Sequence, residues 1–465
     1  MPSPIRRLER GILAAAGRLD RKAPSVSRRS GPLAAPVLAP FCGLLLMMLD
    51  LVLRRADLGD GNGPSDIGIA GTRIAAIGRD LPCEAAEIDL GGRLVLPGLV
   101  DTHIHLDKSC LDTRCACGSG SLAEAVESVA QAKRGFTEED VYGRASRTLE
   151  MAVRHGTNRM RTHVEVDPRV GLTSLRAMHR LKRDHAWAID LQLCVFPQEG
   201  LLDDPGCDSV LVEALDLGAD LIGGAPYIDR DSHGQIARIF DLAQQRDLDV
   251  DLHLDFSLDA GVLDVDEVCR QTEARGFGGR VAIGHVTKLS ALPPERLDRY
   301  ARHLADAGVA VTVLPATDLF LMGRGAEYDV PRGVAPAHRL VRAGVTCSVA
   351  TNNVRNPFTP YGDGSMVRMA NLFANVAQLG SEDDLAACLD LVTRGAARLM
   401  RLDDYGIAVG GPATLIAFDA ESRADIVAGI IQPEIGFKDG RQTFERPPAR
   451  LLAPGAPRDV GARRS

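Results

Sequence analysis

Between residues 98 and 350 one unit recurs eight times: a short apolar run followed by a longer stretch. The apolar runs fall at 98–103, 159–164, 189–196, 220–225, 250–253, 280–285, 309–314 and 345–350. Short runs that are apolar throughout suit strands covered on both faces, as in a parallel sheet. Between them, helical periodicity predicts helices over 138–155, 172–184, 235–246, 265–275 and 294–307. Eight strands alternating with helices favour a closed (β/α)8 barrel, a TIM barrel, over an open sheet.

The flanks follow another rule. Short strands and tight turns are expected at 51–53, 66–70, 73–77, 87–89 and 93–96, and again at 404–411, 413–419, 426–431 and 435–437. The simplest assembly is a barrel over 97–400 and one small composite β-sandwich domain built from 47–96 and 401–445. The 465 residues suit that plan. Residues 1–46 are rich in Arg, Ala, Pro and Ser and read as a disordered or artefactual extension, with Met47 or Met48 as an alternative start. The apolar run at 41–49 is far short of the roughly 20 residues of a membrane span. Residues 446–465 read as a flexible tail.

In such a barrel the chemistry gathers where strands end. The first run ends in His103-Ile-His105, with Lys108 three residues on. The second gives His163 and Glu165, the third Gln198, the fifth His253 and Asp255, the sixth His285, and the eighth Asn352-Asn353. Side chains alternate along a strand, so His103 and His105 share a face. Core packing gives histidine no reason to prefer strand ends, yet five stand there, and His155, His179, His185, His233, His303 and His338 fall in helices or loops. His103, His105 and His253 make a three-imidazole site for one divalent metal ion, zinc or iron. A metal there would lower the pKa of a bound water to about 7. His285 either joins the metal or polarises a substrate carbonyl, and His163 stands behind the ligands. Gln198 carries a donor and an acceptor and suits the edge of an amide or lactam; Lys108 suits a carbonyl or an anion. The plain alternatives are satisfied core histidines, a loop-capping Gln198 and a solvated Lys108.

Composition narrows the partners. A net charge of -8 argues against a nucleic-acid binder, and a single Trp with 4% aromatics leaves no base-stacking platform. Ten scattered cysteines without a C-x-x-C pair read as reduced thiols in a cytoplasmic enzyme, and the C-x-C at Cys115 and Cys117 as a surface loop. The expected partner is a small-molecule substrate, with no nucleic acid and no membrane. Analogy with other barrels suggests a homo-oligomer.

The segments Pro-Gly-Leu-Val-Asp-Thr-His-Ile-His-Leu-Asp from Pro97, Arg-Thr-His-Val from Arg161, Val-Phe-Pro-Gln-Glu-Gly from Val195, Asp-Leu-His-Leu-Asp from Asp251 and Asn-Pro-Phe-Thr-Pro-Tyr-Gly from Asn356 resemble the amidohydrolase superfamily. Within it they are similar to the cytosine-deaminase-like group that includes N-isopropylammelide aminohydrolase. The resemblance runs from about residue 48 to 441. It implies His103, His105 and His253 as metal ligands, Gln198 as a substrate reader, His285 as a polarising histidine, and hydrolysis of a C–N bond. Two positions depart from the group. Its proton-shuttling glutamate, three residues after the strand-five histidine, is Phe256 here, and its strand-eight aspartate is replaced by Asn352-Asn353. Phenylalanine moves no proton, and asparagine is a weaker ligand and no base. Asn352 and Asn353 are then candidates for substrate binding, and Asp255, His285, Glu165 and Lys108 are candidates for the missing proton carrier.

The function expected is therefore metal-dependent hydrolysis of a C–N bond, by deamination or amide or amidine hydrolysis, in a small, cyclic nitrogenous substrate. The alternatives are a degenerate barrel that binds a small ligand without turnover and a metal-free structural barrel within a complex.

Overall fold

A computed structural model describes residues 49–82, 84, 86–115, 118–447, 449 and 451. The expectations for residues 1–46, for Cys117 and for most of the tail lie outside them. Strands β1 (Leu51–Ala56), β2 (Ser65–Ala70), β3 (Arg73–Gly78) and β4 (Ala86–Asp89) form one sheet in the order β3-β2-β1-β4. Strand β5 (Leu94–Pro97) pairs across the length of the chain with β14 (Leu415–Phe418), followed by β15 (Ile435–Lys438) and β16 (Arg441–Glu445). Leu53, Ile67, Ile69 and Ile74 of the first sheet bury against Val95, Leu415 and Phe437 of the second in one apolar cluster.

Eight parallel strands form the barrel: β6 (Leu99–Ile104), β7 (Thr157–Glu165), β8 (Asp190–Phe196), β9 (Leu221–Gly224), β10 (Asp249–Leu254), β11 (Val281–His285), β12 (Val309–Val313) and β13 (Cys347–Val349). Each lies beside its sequence neighbour, as right-handed strand–helix–strand units dictate. The circle closes at the rim. Asn352 bridges Ile104: its N–H donates to the His103 carbonyl, and its own carbonyl accepts from the His105 N–H, each at 2.8 Å. Closure therefore seats Asn352 directly beside the paired histidines.

Two expected strands are corrected. Residues 404–411 form turns without a strand. The segment expected as a strand at 426–431 is mostly the helix Arg423–Gly429. Ile426-Val427 followed by Ile430-Ile431 fits either period. The deciding signal is the cap, where the Ser422 hydroxyl accepts from the Asp425 N–H. No helix among the described residues is long and apolar enough to cross a membrane.

Candidate active site

Strand alternation carries His103 and His105 to the same side at the end of β6, and β10 brings His253 opposite them. The Nε2 atom of His253 stands 3.1 Å from Nε2 of His103 and 3.1 Å from Nε2 of His105. All three rings are buried, and none of their Nδ1 atoms has a hydrogen-bond partner. Burial, reinforced by neighbouring positive groups, holds all three well below the usual histidine range. They are therefore neutral at pH 7, the form that binds a metal. Nitrogens this close share either a proton or a cation. A convergent set of neutral imidazoles, with Asn352 bonded through its backbone to His103 and His105 and its buried Oδ1 unpartnered, fits a divalent ion. Room for the cluster comes partly from Gly284, where a Cβ would stand 3.3 Å from the His103 ring.

His163 stacks on His103 with ring centroids 3.7 Å apart. Its ring also lies within 4.8 Å of ligand atoms on His103 and His253. Its Nε2 is 3.5 Å from Asp251 Oδ1, and Arg161 holds the other Asp251 oxygen at 2.7 Å. Both His163 ring nitrogens lack a hydrogen-bond partner, so the close-set buried ligand atoms are those of His103, His163 and His253, while His105 meets His253 Nε2 at 3.1 Å.

His285 ends β11 with a φ of +69°, a left-handed turn that aims its ring across the barrel mouth. Its Nδ1 is bonded to Asp318 Oδ1 at 2.7 Å, and its Nε2 lies 3.5 Å from the Asn352 amide nitrogen. Burial pushes the Asp318 carboxyl up, and His285 opposes that shift. The Phe256 ring lies against His285, with centroids 3.9 Å apart.

Lys108 is not solvated: it is 1% exposed. Its Nζ donates to Gln198 Oε1 at 3.0 Å and Glu165 Oε1 at 2.6 Å, and it faces the Phe358 ring at 4.4 Å. An open cleft of about 950 Å3 leads from this rim, lined by Leu122, Val126, Tyr227 and Phe256 on its apolar side and by Glu199 and Lys288 on its polar side.

Two expected site residues are placed elsewhere. Asp255 shares no face with His253, because β10 ends at Leu254 and Asp255 turns with a φ of +51°. Its oxygens accept from the Asp264 and Val265 N–H groups at the start of the helix Val265–Arg275, and Lys288 pairs with it at 3.0 Å. It caps a helix and is withdrawn as a proton carrier. The Oδ1 of Asn353 accepts from Asn356 Nδ2 at 2.7 Å, which ties it to the loop bearing Phe358. Sequence reasoning missed Asp318 and Lys133. Asp318 had a faint signal: it follows the strand-ending Leu314-Pro315 by three residues. Lys133 had none.

The Amidohydrolase family model matches residues 86–189 and 173–429. The N-isopropylammelide isopropyl amidohydrolase of Pseudomonas sp. (strain ADP) is 30% identical over 383 residues, covering 80% of this chain and 92% of that protein. The pterin deaminase of Rhizobium rhizogenes is 30% identical over 375 residues, covering 77% and 83%. The structure of 5-methylcytosine deaminase from Klebsiella pneumoniae liganded with 5-fluorocytosine matches with a TM-score of 0.82 at 29% identity, covering 87% of this chain and 99% of that one. The chain belongs to the amidohydrolase family, in its cytosine-deaminase-like group.

Proposed function

We propose that this protein is a metal-dependent hydrolase that breaks a C–N bond in a small, cyclic nitrogen compound, releasing ammonia or an amine. The observation that carries the reading is the convergence of His103, His105 and His253 through neutral Nε2 atoms, facing a rim with a preformed Lys108–Gln198 pair. The relatives act, by their names, on ammelide, pterin and cytosine derivatives, which are flat rings with alternating amide and amidine edges. His103, His105 and His253 would hold one zinc or iron ion, with Asn352 Oδ1 beside them. Such an ion supplies a water of lowered pKa and a polarised carbon centre.

The protein's own groups do the rest. Gln198 and Lys108 orient the ring by its carbonyl and N–H edges. His285, fixed through Nδ1 by Asp318, takes the proton of the attacking water at Nε2 and returns it to the departing nitrogen. The carbon keeps the oxygen and the nitrogen leaves protonated, so the sum is one water added across the C–N bond. Lys108 and Glu165 are the other titratable groups at the rim. Phe256 takes no part in proton movement and excludes water from that side of His285. A cytoplasmic location agrees with Cys110, Cys194, Cys207, Cys269, Cys347 and Cys388 being free and buried.

The test is release of ammonia or amine from a panel of aminated pyrimidines, triazines and pterins by zinc- or iron-loaded protein. Turnover of at least one ring supports the reading; no release from any of them contradicts it. A second reading, a barrel that binds such a ring without turnover, draws on Phe256 and Asn352. The double change Phe256→Glu and Asn352→Asp separates the two. Cytosine deamination gained by the double variant, with none in the native protein, indicates a site that lost its chemistry. Native activity on another ring, with no such gain, indicates a retuned enzyme.

A further inference from the structure

The helix Leu122–Ala132 covers the histidine end of the barrel. Its buried Ala125 and Val129 pack with Leu111, Phe256, Leu321, Met322 and Phe358. Apolar packing is enough to seat such a helix, yet its C-terminal end, the turn Lys133–Gly135, sends a lysine inward. Lys133 is 1% exposed, and its Nζ lies 2.9 Å from Glu165 Oε2, 2.5 Å from Asp167 Oδ2 and in contact with Glu199. Burial opposes its charge, but the three carboxyl groups hold it well above the ordinary lysine range. Glu165 is the residue that touches both buried lysines, Oε2 on Lys133 and Oε1 on Lys108. Lys108 in turn donates to Gln198. An unbroken line of charged hydrogen bonds thus runs from the covering helix to the rim: Lys133, Glu165, Lys108, Gln198.

We propose that Lys133 is a positioning residue of the active site, fixing Glu165 so that Lys108 and Gln198 are aimed at the substrate, and latching the covering helix over them. Lys133 reaches Lys108 through Glu165, and it also touches Glu199, the chain neighbour of Gln198. Without its ammonium, Glu165, Asp167 and Glu199 would face one another with Arg169, 3.7 Å from Glu199, as a flanking cation. Glu165 would then turn from the now uncompensated group, and Lys108 would follow it. The positioning claim rests on the reading of Lys108 and Gln198 as the substrate-facing pair; the latch does not.

The test compares native full-length protein with Lys133→Met, Lys133→Arg and Glu165→Gln by hydrogen–deuterium exchange, with metal content as a control. The expected result for Lys133→Met is exchange about tenfold faster in peptides over 118–136, and also in those over 105–112 and 197–201, at unchanged metal content. Lys133→Arg restores part of the protection. Native exchange over 105–112 overturns the positioning role whatever the other two segments do, because loss of the direct Lys133–Glu199 contact loosens 118–136 and 197–201 without Glu165 or Lys108. Native exchange throughout overturns the proposal entirely. Should Lys133→Met fail to fold, Glu165→Gln carries the test: it keeps the shape, weakens both lysine bonds, and must loosen all three segments. On any ring the native enzyme hydrolyses, Lys133→Met raises KM about tenfold and changes kcat far less. Exchange coupling without hydrolysis of any ring would leave the latch standing and remove the hydrolase reading; hydrolysis without coupling would do the reverse.

Discussion

Two buried trios at the same end of the barrel look alike as lists of ligands. His103, His163 and His253 bring ligand atoms within 4.8 Å of one another, and so do Glu165, Asp167 and Glu199. Their charge balance is opposite. Burial holds the imidazoles neutral, and ring nitrogens on each have no partner. The carboxyl groups already enclose the Lys133 ammonium. Proximity of donors therefore does not identify a metal site; what decides is whether the charge is already balanced by the protein. The proposed metal site is therefore the histidine end, with His105 completing the convergence, and the proposed latch is the acidic trio.

The sharpest way to break that contrast is to remove the internal cation. Lys133→Met leaves three carboxyl groups buried without it and is expected to cost about 3–5 kcal/mol of stability, read by denaturant unfolding. A cost near zero would mean that the acidic trio relaxes into solvent and that the contrast is false. Next in size is Asp318→Asn, which frees the His285 ring and is expected to lower kcat about a hundredfold with metal content unchanged. Loss of metal in that variant would place His285 among the ligands. Asn352→Asp adds charge beside the neutral imidazoles and is expected to slow metal loss to a chelator about tenfold. The last effect, read through its pH dependence, concerns Glu199. Burial, reinforced by the charge of Glu165, pushes its carboxyl from 4.5 up to about 8. A carboxyl that holds its proton more tightly when folded costs nothing below its unfolded pKa, and the cost grows as pH rises toward 8. Glu199→Gln removes that cost, so its Tm advantage over the native protein should widen from pH 5 to pH 8 and then level off. An advantage that shrinks over that range would reverse the assignment.

The barrel was legible because its strands are short apolar runs with polar ends, and all eight expected runs coincide with strands to within about two residues. The histidine cluster was legible for the same reason: alternation puts His103 and His105 on one face, and rim position marks His253. Where local pattern stopped governing direction, the reading failed. Asp255 stands two residues after His253, but the strand ends between them and a positive φ turns the carboxylate to a helix start. Lys108 reads as a substrate anchor or, alternatively, as a solvated lysine, and only its distant partners Glu165, 57 residues away, and Gln198, 90 residues away, show it buried. Lys133 and Asp318 likewise take their roles from partners distant in sequence, which no local period encodes. The helix Arg423–Gly429 was lost to an ambiguous spacing of isoleucines that only its Ser422 cap resolves.

The most direct measurement is the metal content of protein purified without chelator or a histidine tag, for the native chain and for His253→Ala. The account predicts close to one zinc or iron per native chain and almost none in the variant, because His253 is the ring that touches both of the others. No metal in either protein after reconstitution, or equal metal in both, would contradict it.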